Sequence, residues 1–204
     1  MTAAAGDGAL LVVVDMQQVF ADGPWCTPGF HDLVPEIERL VERFGDRVCF
    51  TRFLVPEHPE GAWADYYADW EFVTKPESRP LLELVEPFAS NPRADRVEKT
   101  TFGKWGPELE AMAGPARTLV VCGVATDCCV ISTVLGAVDG GMRVRLVADA
   151  CAGISPEAHE RAVAVMAGYP PQVSVTSVDE ELASRDRPPP SGGARPAPDH
   201  RLST

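Results

Sequence analysis

The chain has 204 residues, of which 45% are hydrophobic and 24% are charged, and its formal net charge at pH 7 is -12. This length and composition are typical of one folded domain with a sizeable buried core. The negative charge argues against binding to nucleic acid or to an anionic membrane, because either would need clustered lysine and arginine. A small-molecule substrate and an ordinary protein partner both remain open at this point.

Neither the N-terminus nor the cysteines indicate secretion. Residues 1–9 are small and acidic and lack the basic start and apolar run of a signal peptide. The longest strongly apolar run, residues 9–14, is far too short to span a bilayer. The six cysteines form no CxxC pair and lie mostly in apolar runs, which favours free thiols in a reducing compartment. We therefore expect a cytoplasmic protein.

Strand-like and helix-like segments alternate along the chain. Continuous apolar runs predict strands buried on both faces, and apolar residues at three- and four-residue spacing predict helices. The predicted strands are 9–14, 47–53, 96–99, 118–123, 143–150 and 172–178. The predicted helices are 31–44, 81–89, 106–113, 126–138, one that opens at 155–157, and a short one ending near 184. This alternation predicts an α/β parallel sheet with helices on both faces.

Two segments do not fit the alternation. Residues 56–80 are rich in proline, glycine and aromatic residues and show no clear period. We expect a long loop that covers a site, because long ordered loops in compact domains are often functional. From residue 186 onward proline, glycine and charge dominate. We therefore expect one domain over 1–185 and a disordered tail over 186–204.

Three reactive side chains follow predicted strands, where open α/β sheets bind their ligands. Asp15 ends the first strand, Lys99 ends the third, and Cys129 begins the helix after the fourth. Taken singly, these have ordinary explanations: a turn residue, a solvated charge and a small buried side chain. Together they predict a thiolate nucleophile whose pKa is lowered by the helix terminus and a cation, with Asp15 as general base. Backbone N–H groups of the 123–129 turn could hold an oxyanion.

Two runs then resemble a known family, the isochorismatase-like cysteine hydrolases. They read Val12-Val13-Val14-Asp15-Met16-Gln17, with Phe20 beyond it, and Gly123-Val124-Ala125-Thr126-Asp127-Cys128-Cys129-Val130. Val147-Ala148-Asp149-Ala150-Cys151, then Ser155-Pro156 and His159, continue the resemblance, which covers roughly 8–184. The family includes nicotinamidase, N-carbamoylsarcosine amidase and ureidoacrylate hydrolase.

The resemblance implies a Rossmann-like three-layer fold with a central, mostly parallel sheet, and an Asp–Lys–Cys triad. The family nucleophile stands directly before the valine of the second run, which selects Cys129 over Cys128. The resemblance also implies a cis peptide between Val124 and Ala125 that aims backbone amides at the oxyanion. It implies a homodimer or larger homo-oligomer as well.

Departures from the family narrow the expected activity. Nicotinamidases carry an Asp and two His as a metal site after the second strand, whereas this region has only His58. We therefore expect no catalytic metal and no cofactor. Lys104 is a second candidate for the catalytic lysine. We prefer Lys99, because Lys99 directly ends a strand and Lys104 lies in the loop beyond it. Isochorismatases proper cleave a vinyl ether and need no thiol, so the cysteine favours an amide or ureido bond.

The remaining candidates concern substrate binding. Aromatic residues could wall a pocket for a planar or apolar substrate, although packing in the core or between subunits explains each of them equally well. The expected substrate-binding residues are Phe20, Trp63, Trp70, Phe102 and Thr126, with Trp25 and Trp105 as further aromatic candidates. Arg52 could bind a carboxylate, but a surface salt bridge is the stronger interpretation, and His159 is interpreted as structural. The sequence thus predicts a metal-independent C–N hydrolase acting through a thioester. The alternatives are a vinyl ether hydrolase and a catalytically silent binding protein of the same fold.

Overall fold

The centre of the structure, a computed structural model that describes residues 8–92 and 95–184, is a six-stranded parallel sheet. The strands are β1 Leu10–Val14, β2 Val48–Phe53, β3 Asp95–Lys99, β4 Thr118–Val124, β5 Arg143–Ala152 and β6 Val173–Thr176. Their order across the sheet is β3-β2-β1-β4-β5-β6, and every neighbouring pair is parallel. The predicted α/β fold class is confirmed.

Within residues 8–92 and 95–184, seven α-helices surround this sheet. They are α1 Gln18–Ala21, α2 Phe30–Phe44, α3 Ala62–Asp69, α4 Pro107–Ala113, α5 Ile131–Asp139, α6 Pro156–Ala167 and α7 Val178–Ala183. The hydroxyl of Ser155 accepts a hydrogen bond from the backbone N–H of Ala158 at 3.2 Å and so caps α6 as the sequence predicts. No helix within the described ranges is long and apolar enough to cross a membrane.

The core forms where the apolar patterns of the sequence predict it. All five residues of β1 are buried, because this central strand has neighbours on both edges and helices over the sheet. The helix α2 packs against β1, β4 and β5 and buries one face formed by Phe30, Leu33, Ile37 and Leu40. Two pairs of helices pack against each other beside the sheet, α2 with α7 and α5 with α6.

Two predicted segments are wrong in detail. The 56–80 segment is partly regular, with α3 followed by 3-10 helices over Glu71–Thr74 and Pro76–Leu82. The helix expected over 81–89 is absent, because the chain leaves the 3-10 helix after Leu82 and Leu84 pairs with Gln17 in an isolated bridge. The buried Gln17 side chain reinforces that path by donating to the carbonyls of Leu82 at 2.6 Å and Phe53 at 3.0 Å. The contacts of the buried Gln17 thus fix an extended path after Leu82, although the apolar spacing of 81–89 is helical.

The end of β4 approaches β1 unusually closely. Gly123 has φ of +108°, and a Cβ atom there would lie 2.2 Å from the carbonyl oxygen of Val14. The pairing of β4 with β5 also shifts register between Val121 and Gly123. Bulges of this kind often lie next to active sites, where they redirect the chain. The predicted tail over 186–204 and the boundary at 185 lie outside the described residues.

Candidate active site

The candidate site lies at the carboxyl ends of β1 and β4, the two central strands from which the sheet order runs outward in opposite directions. Such a switch point leaves a crevice in which α/β proteins bind ligands. Asp15 directly follows β1, and a π-helical turn over Thr126–Val130 follows β4 and carries Cys129. Asp15 is fully buried and Cys129 is only 4% exposed. The sheet therefore brings these two predicted residues to one place.

Asp15 is held by one hydroxyl and one ammonium group. The Thr51 hydroxyl donates to Asp15 Oδ1 at 2.6 Å and accepts a hydrogen bond from the Asp15 backbone N–H at 3.2 Å. Lys104 Nζ lies 3.0 Å from Asp15 Oδ2, and both side chains are fully buried. No hydrogen bond reaches Oδ2 from the described residues beyond this ion pair. One oxygen of a buried carboxylate thus remains able to accept a proton.

The lysine that the structure places beside Asp15 is Lys104, and not Lys99, which the sequence analysis prefers. Lys99 does end β3, but its Nζ lies 2.7 Å from Glu108 Oε2 in a partly exposed salt bridge. β3 is an edge strand, so its end lies at the margin of the sheet and not at the switch point. A position at the end of a strand therefore does not by itself place a side chain in the site.

The loop after β3 places Lys104 in the protein interior, where hydrogen bonds hold its backbone and its side chain. The Lys104 backbone N–H donates to the Thr133 hydroxyl at 2.9 Å, and that hydroxyl donates to the Cys129 carbonyl at 2.7 Å. Lys104 Nζ donates to the Thr101 carbonyl at 2.8 Å and lies 4.9 Å from the centroid of the Phe53 ring. Thr133 therefore links the backbone of the lysine loop to the backbone of the cysteine turn.

The pKa values of the two adjacent thiols, Cys128 and Cys129, are shifted in opposite directions. A hydrogen bond with Cys128, burial and the Asp15 carboxylate raise the pKa of Cys129 well above its ordinary value, and Lys104 opposes them. The same hydrogen bond lowers the pKa of Cys128, which is more exposed than Cys129. The pKa of Cys129 is thus raised by its surroundings, whereas the sequence analysis expects it to be lowered. A neutral thiol needs a base when it attacks, and Asp15 is the carboxylate that interacts with it.

The turn that carries the cysteine has the backbone conformation that the resemblance implied. The peptide between Val124 and Ala125 is cis. The backbone N–H groups of Cys128 and Val130 both donate to the Ala125 carbonyl, at 3.0 and 3.1 Å. Ala125 and Cys129 both line the neighbouring cavity. The backbone of this turn thus borders the space in which a substrate would react.

A cavity of about 380 Å³ opens onto Cys129. Its aromatic residues come from the segment after β1, the end of β2, α3 with the residue that follows it, and the loop after β3. Its lining residues are Phe20, Pro24, Trp25, Cys26, Thr27, Phe53, Tyr66, Trp70, Phe102, Ala125, Cys128, Cys129 and Ile154. A largely apolar pocket of this size next to a nucleophile is typical of a small-molecule site.

The structure separates the predicted substrate-binding residues into two groups. Phe20, Trp70 and Phe102 line the cavity, as does the further candidate Trp25. Trp63 does not: it lies behind the wall, with its ring 4.8 Å from that of Phe102.

Two further residues contact protein groups instead of the cavity. The Thr126 hydroxyl forms a hydrogen bond of 2.9 Å with His159 Nδ1, which is a structural contact for both residues. Trp105 packs against Gly136 and Gly140, where a Cβ atom would lie 3.1 and 2.6 Å from it.

Tyr66 is a cavity residue that the sequence did not single out. Its ring packs between Trp25 and Phe102, with centroids 6.0 and 5.7 Å away. Burial, followed by the charges of Cys128, Tyr67 and Cys129, raises the pKa of its phenol, so the hydroxyl stays protonated. A helical reading of 62–69 could have indicated this role. Adjacent residues of a helix face different directions, so Tyr66 and the buried Tyr67 do not share one environment.

The described residues do not fit a bound metal. No group of three or more His, Cys, Asp or Glu side chains in residues 8–92 and 95–184 could hold an ion. His58 is exposed and stands in the loop after β2. Arg52, the candidate for binding a carboxylate, instead forms salt bridges of 2.8 Å with Glu83 and 3.0 Å with Glu98.

Comparison with known proteins matches one family model to nearly the whole described chain. Residues 9–180 match the family model described as the isochorismatase domain. Isochorismatase domain-containing protein 2 of Xenopus laevis is 40% identical over 63 residues, which are 29% of this chain and 31% of that protein. Nicotinamidase of Escherichia coli K12 is 33% identical over 87 residues, which are 43% of this chain and 37% of that protein. The chain thus matches about a third of the length of these curated relatives.

Solved structures share the fold. A cysteine hydrolase from Pseudomonas syringae pv. phaseolicola superimposes with a TM-score of 0.75 at 21% sequence identity. The match covers 89% of this chain and 94% of that one. At this identity the likeness concerns the architecture alone.

Proposed function

The chain belongs to the isochorismatase family, and we propose that it hydrolyses a C–N bond of a small amide through a thioester on Cys129. The single observation that carries this proposal is the buried ion pair of Asp15 and Lys104 beside the thiol that faces the cavity. A thiol with a carboxylate base and a cation next to it is the arrangement required for nucleophilic catalysis on an acyl group.

In the first half of the reaction the Cys129 sulfur attacks the amide carbon as its proton passes to Asp15 Oδ2. The Thr51 hydroxyl donates to the other oxygen of that carboxylate, so Oδ2 has no hydrogen-bond donor from the described residues besides its ion pair with Lys104. The carbonyl oxygen becomes an oxyanion, for which backbone N–H groups of Ala125 and Cys129 are the proposed donors. The C–N bond then breaks, and Asp15 returns its proton to the leaving nitrogen.

In the second half water attacks the thioester carbon. Asp15 takes a proton from that water, the C–S bond breaks, and the proton passes to the Cys129 sulfur as the carboxylic acid leaves. The ammonium of Lys104 lies 3.0 Å from the Asp15 carboxylate, and its charge favours the thiolate that forms transiently on Cys129. The site returns to its starting protonation state after each cycle.

Replacement of the nucleophile tests this mechanism. We expect Cys129→Ala to lower kcat/KM at least roughly 1,000-fold against any amide that the wild-type chain hydrolyses, with ammonia release as the measurement. Mass spectrometry of the wild-type protein, quenched during turnover, is expected to detect an acyl group on the peptide that contains Cys129.

Cys128→Ala is the matched control, because it removes the neighbouring thiol and keeps Cys129. We expect this variant to retain turnover and the acyl adduct. Full activity of Cys129→Ala would refute the thioester. Thiol-independent release of pyruvate from isochorismate would assign the site to vinyl ether hydrolysis instead.

A further inference from the structure

The cavity beside Cys129 has an uncharged wall. None of its thirteen lining residues is an Asp, Glu, Lys, Arg or His. Five of them are Phe or Trp, and a sixth is Tyr66, whose phenol stays protonated. A ligand that enters this space therefore meets aromatic faces and neutral polar groups.

Lys104, the lysine beside Asp15, is already paired with a carboxylate. Lys104 is fully buried, its Nζ lies 3.0 Å from Asp15 Oδ2, and the same atom donates to the Thr101 carbonyl at 2.8 Å. A substrate carboxylate could recruit it only by displacing Asp15, which the reaction needs. Arg52 and Lys99, the other cations considered for the site, are paired with acidic residues away from this cavity.

A carboxylate contacts the backbone of the cavity wall. Asp127 Oδ1 accepts a hydrogen bond of 3.0 Å from the backbone N–H of Ile154, a lining residue. The whole chain carries a formal charge of -12. Both features oppose the entry of an anion, and burial of a carboxylate without a partner is strongly unfavourable.

The shape of the wall suits a flat group. Phe20 and Trp25 are stacked with centroids 5.9 Å apart, and Trp70 meets Trp25 edge to face at 5.9 Å. Phe53 at the end of β2 and Phe102 in the loop after β3 are stacked with centroids 6.1 Å apart. The volume of about 380 Å³ lies within the range of pockets that hold drug-sized ligands, so a single-ring amide would leave much of it empty.

We propose that this site takes an uncharged amide whose acyl group is a flat apolar system of about two fused rings, and that it rejects substrates bearing a carboxylate. This inference rests on the proposed C–N hydrolysis. The products are then a bicyclic aromatic carboxylic acid and ammonia or an amine. Release of the acid is favoured by the same absence of a balancing cation that excludes anionic substrates.

A matched pair of substrates tests the inference on the full chain. Naphthalene-2-carboxamide is compared with its 6-carboxy derivative, which adds one negative charge to the same ring system. Benzamide and N-carbamoylglycine serve as a smaller neutral amide and a small ureido acid. We expect kcat/KM for the neutral naphthamide to exceed that of its carboxylated partner by roughly 100-fold or more, and to exceed that of benzamide.

Binding to Cys129→Ala separates this inference from the proposed reaction. We expect quenching of tryptophan fluorescence to give a Kd for naphthalene-2-carboxamide roughly 100-fold lower than for the carboxylated amide. Tight, selective binding with no turnover by the wild-type chain would refute the hydrolysis and keep the ligand class. Turnover of the carboxylated amide or of N-carbamoylglycine at the higher rate would refute the ligand class and keep the hydrolysis. Equal binding of the pair would also refute the ligand class.

Introducing a cation at the mouth of the cavity gives a second test. Trp70 lines the cavity and is 38% exposed, so its replacement does not disturb the core. We expect Trp70→Arg to raise the relative kcat/KM of the carboxylated amide over the neutral one by about tenfold compared with Trp70→Gln, which lacks the charge. The same ratio in both variants would indicate that charge does not govern selection here and would overturn the inference.

Discussion

The charged centre of the site, Asp15, Lys104 and Cys129, is built differently from the aromatic wall that faces it. The centre is buried, and the hydroxyls of Thr51 and Thr133 fix it to the sheet and to the start of α5. The aromatic wall comes from α1, the end of β2, α3 and adjoining loops, and its side chains contact one another ring to ring.

This difference separates two tasks. Groups that move protons must be placed within hydrogen-bond distance, and buried polar contacts from regular elements give that precision. Groups that select a substrate need only complementary shape and polarity, and surface segments can change them without disturbing the centre. The proposed chemistry therefore belongs to the charged centre and the proposed selectivity to the wall.

The largest effect on activity is expected from removing a charge of the charged centre. Lys104→Met is expected to lower kcat/KM roughly 100- to 1,000-fold, because Asp15 loses its cation and the transient thiolate loses a stabilising charge. Lys99→Met is the matched control and is expected to change kcat/KM less than about twofold, since its salt bridge is partly exposed. Equal losses in the two variants, measured by ammonia release, would refute the assignment of Lys104.

Folding must be checked for the same variant, because Lys104→Met leaves Asp15 buried without its partner. The double variant Asp15→Asn with Lys104→Met removes both charges and avoids that penalty. We expect the double variant to unfold at a higher temperature than Lys104→Met and to remain inactive. Activity restored in the double variant would mean that the single variant had failed by unfolding.

A smaller effect is expected when the aromatic wall is altered. Trp70→Ala removes one partly exposed face of the cavity and is expected to raise KM about tenfold with little change in kcat. Tyr169→Ala is the control, because Tyr169 is similarly exposed at 43% and does not line the cavity. A fall in kcat alone for Trp70→Ala would show that the aromatic wall takes part in the chemistry. The wall would then not be limited to selecting the substrate.

The smallest effect concerns the pH at which Cys129 reacts with iodoacetamide. Cys128, burial and Asp15 raise the pKa of this thiol, and Lys104 lowers it. Loss of a negative charge favours the thiolate and loss of a positive charge disfavours it. Asp15→Asn should therefore shift labelling of Cys129 to lower pH, and Lys104→Met should shift it to higher pH.

Labelling is resolved by fragmenting the peptide that contains both thiols. In the wild-type chain we expect Cys128 to react before Cys129, because Cys128 has the lower pKa and the greater exposure. A shift in the same direction for both charge variants would contradict the proposed electrostatics of the site.

The sequence by itself determined the parallel sheet, the family and two members of the charged centre. The apolar run of β1 ends at Asp15, and the strand order directs that end to the turn that carries Cys129. Local patterns sufficed here because buried parallel strands and the turn after β4 depend mainly on residues near in sequence. The same patterns failed over 81–89, where the contacts of Gln17 decide the path of the chain.

Only the tertiary structure decided which lysine belongs to the site and which aromatic residues form the wall. Lys99 and Lys104 are five residues apart, and their roles differ because Lys99 stands on an edge strand while the loop beyond it returns to Thr133 and Asp15. The direction of the Cys129 pKa also depends on burial and on Asp15, which is 114 positions away in sequence. Packing of segments distant in the chain sets these properties, and no local spacing encodes it.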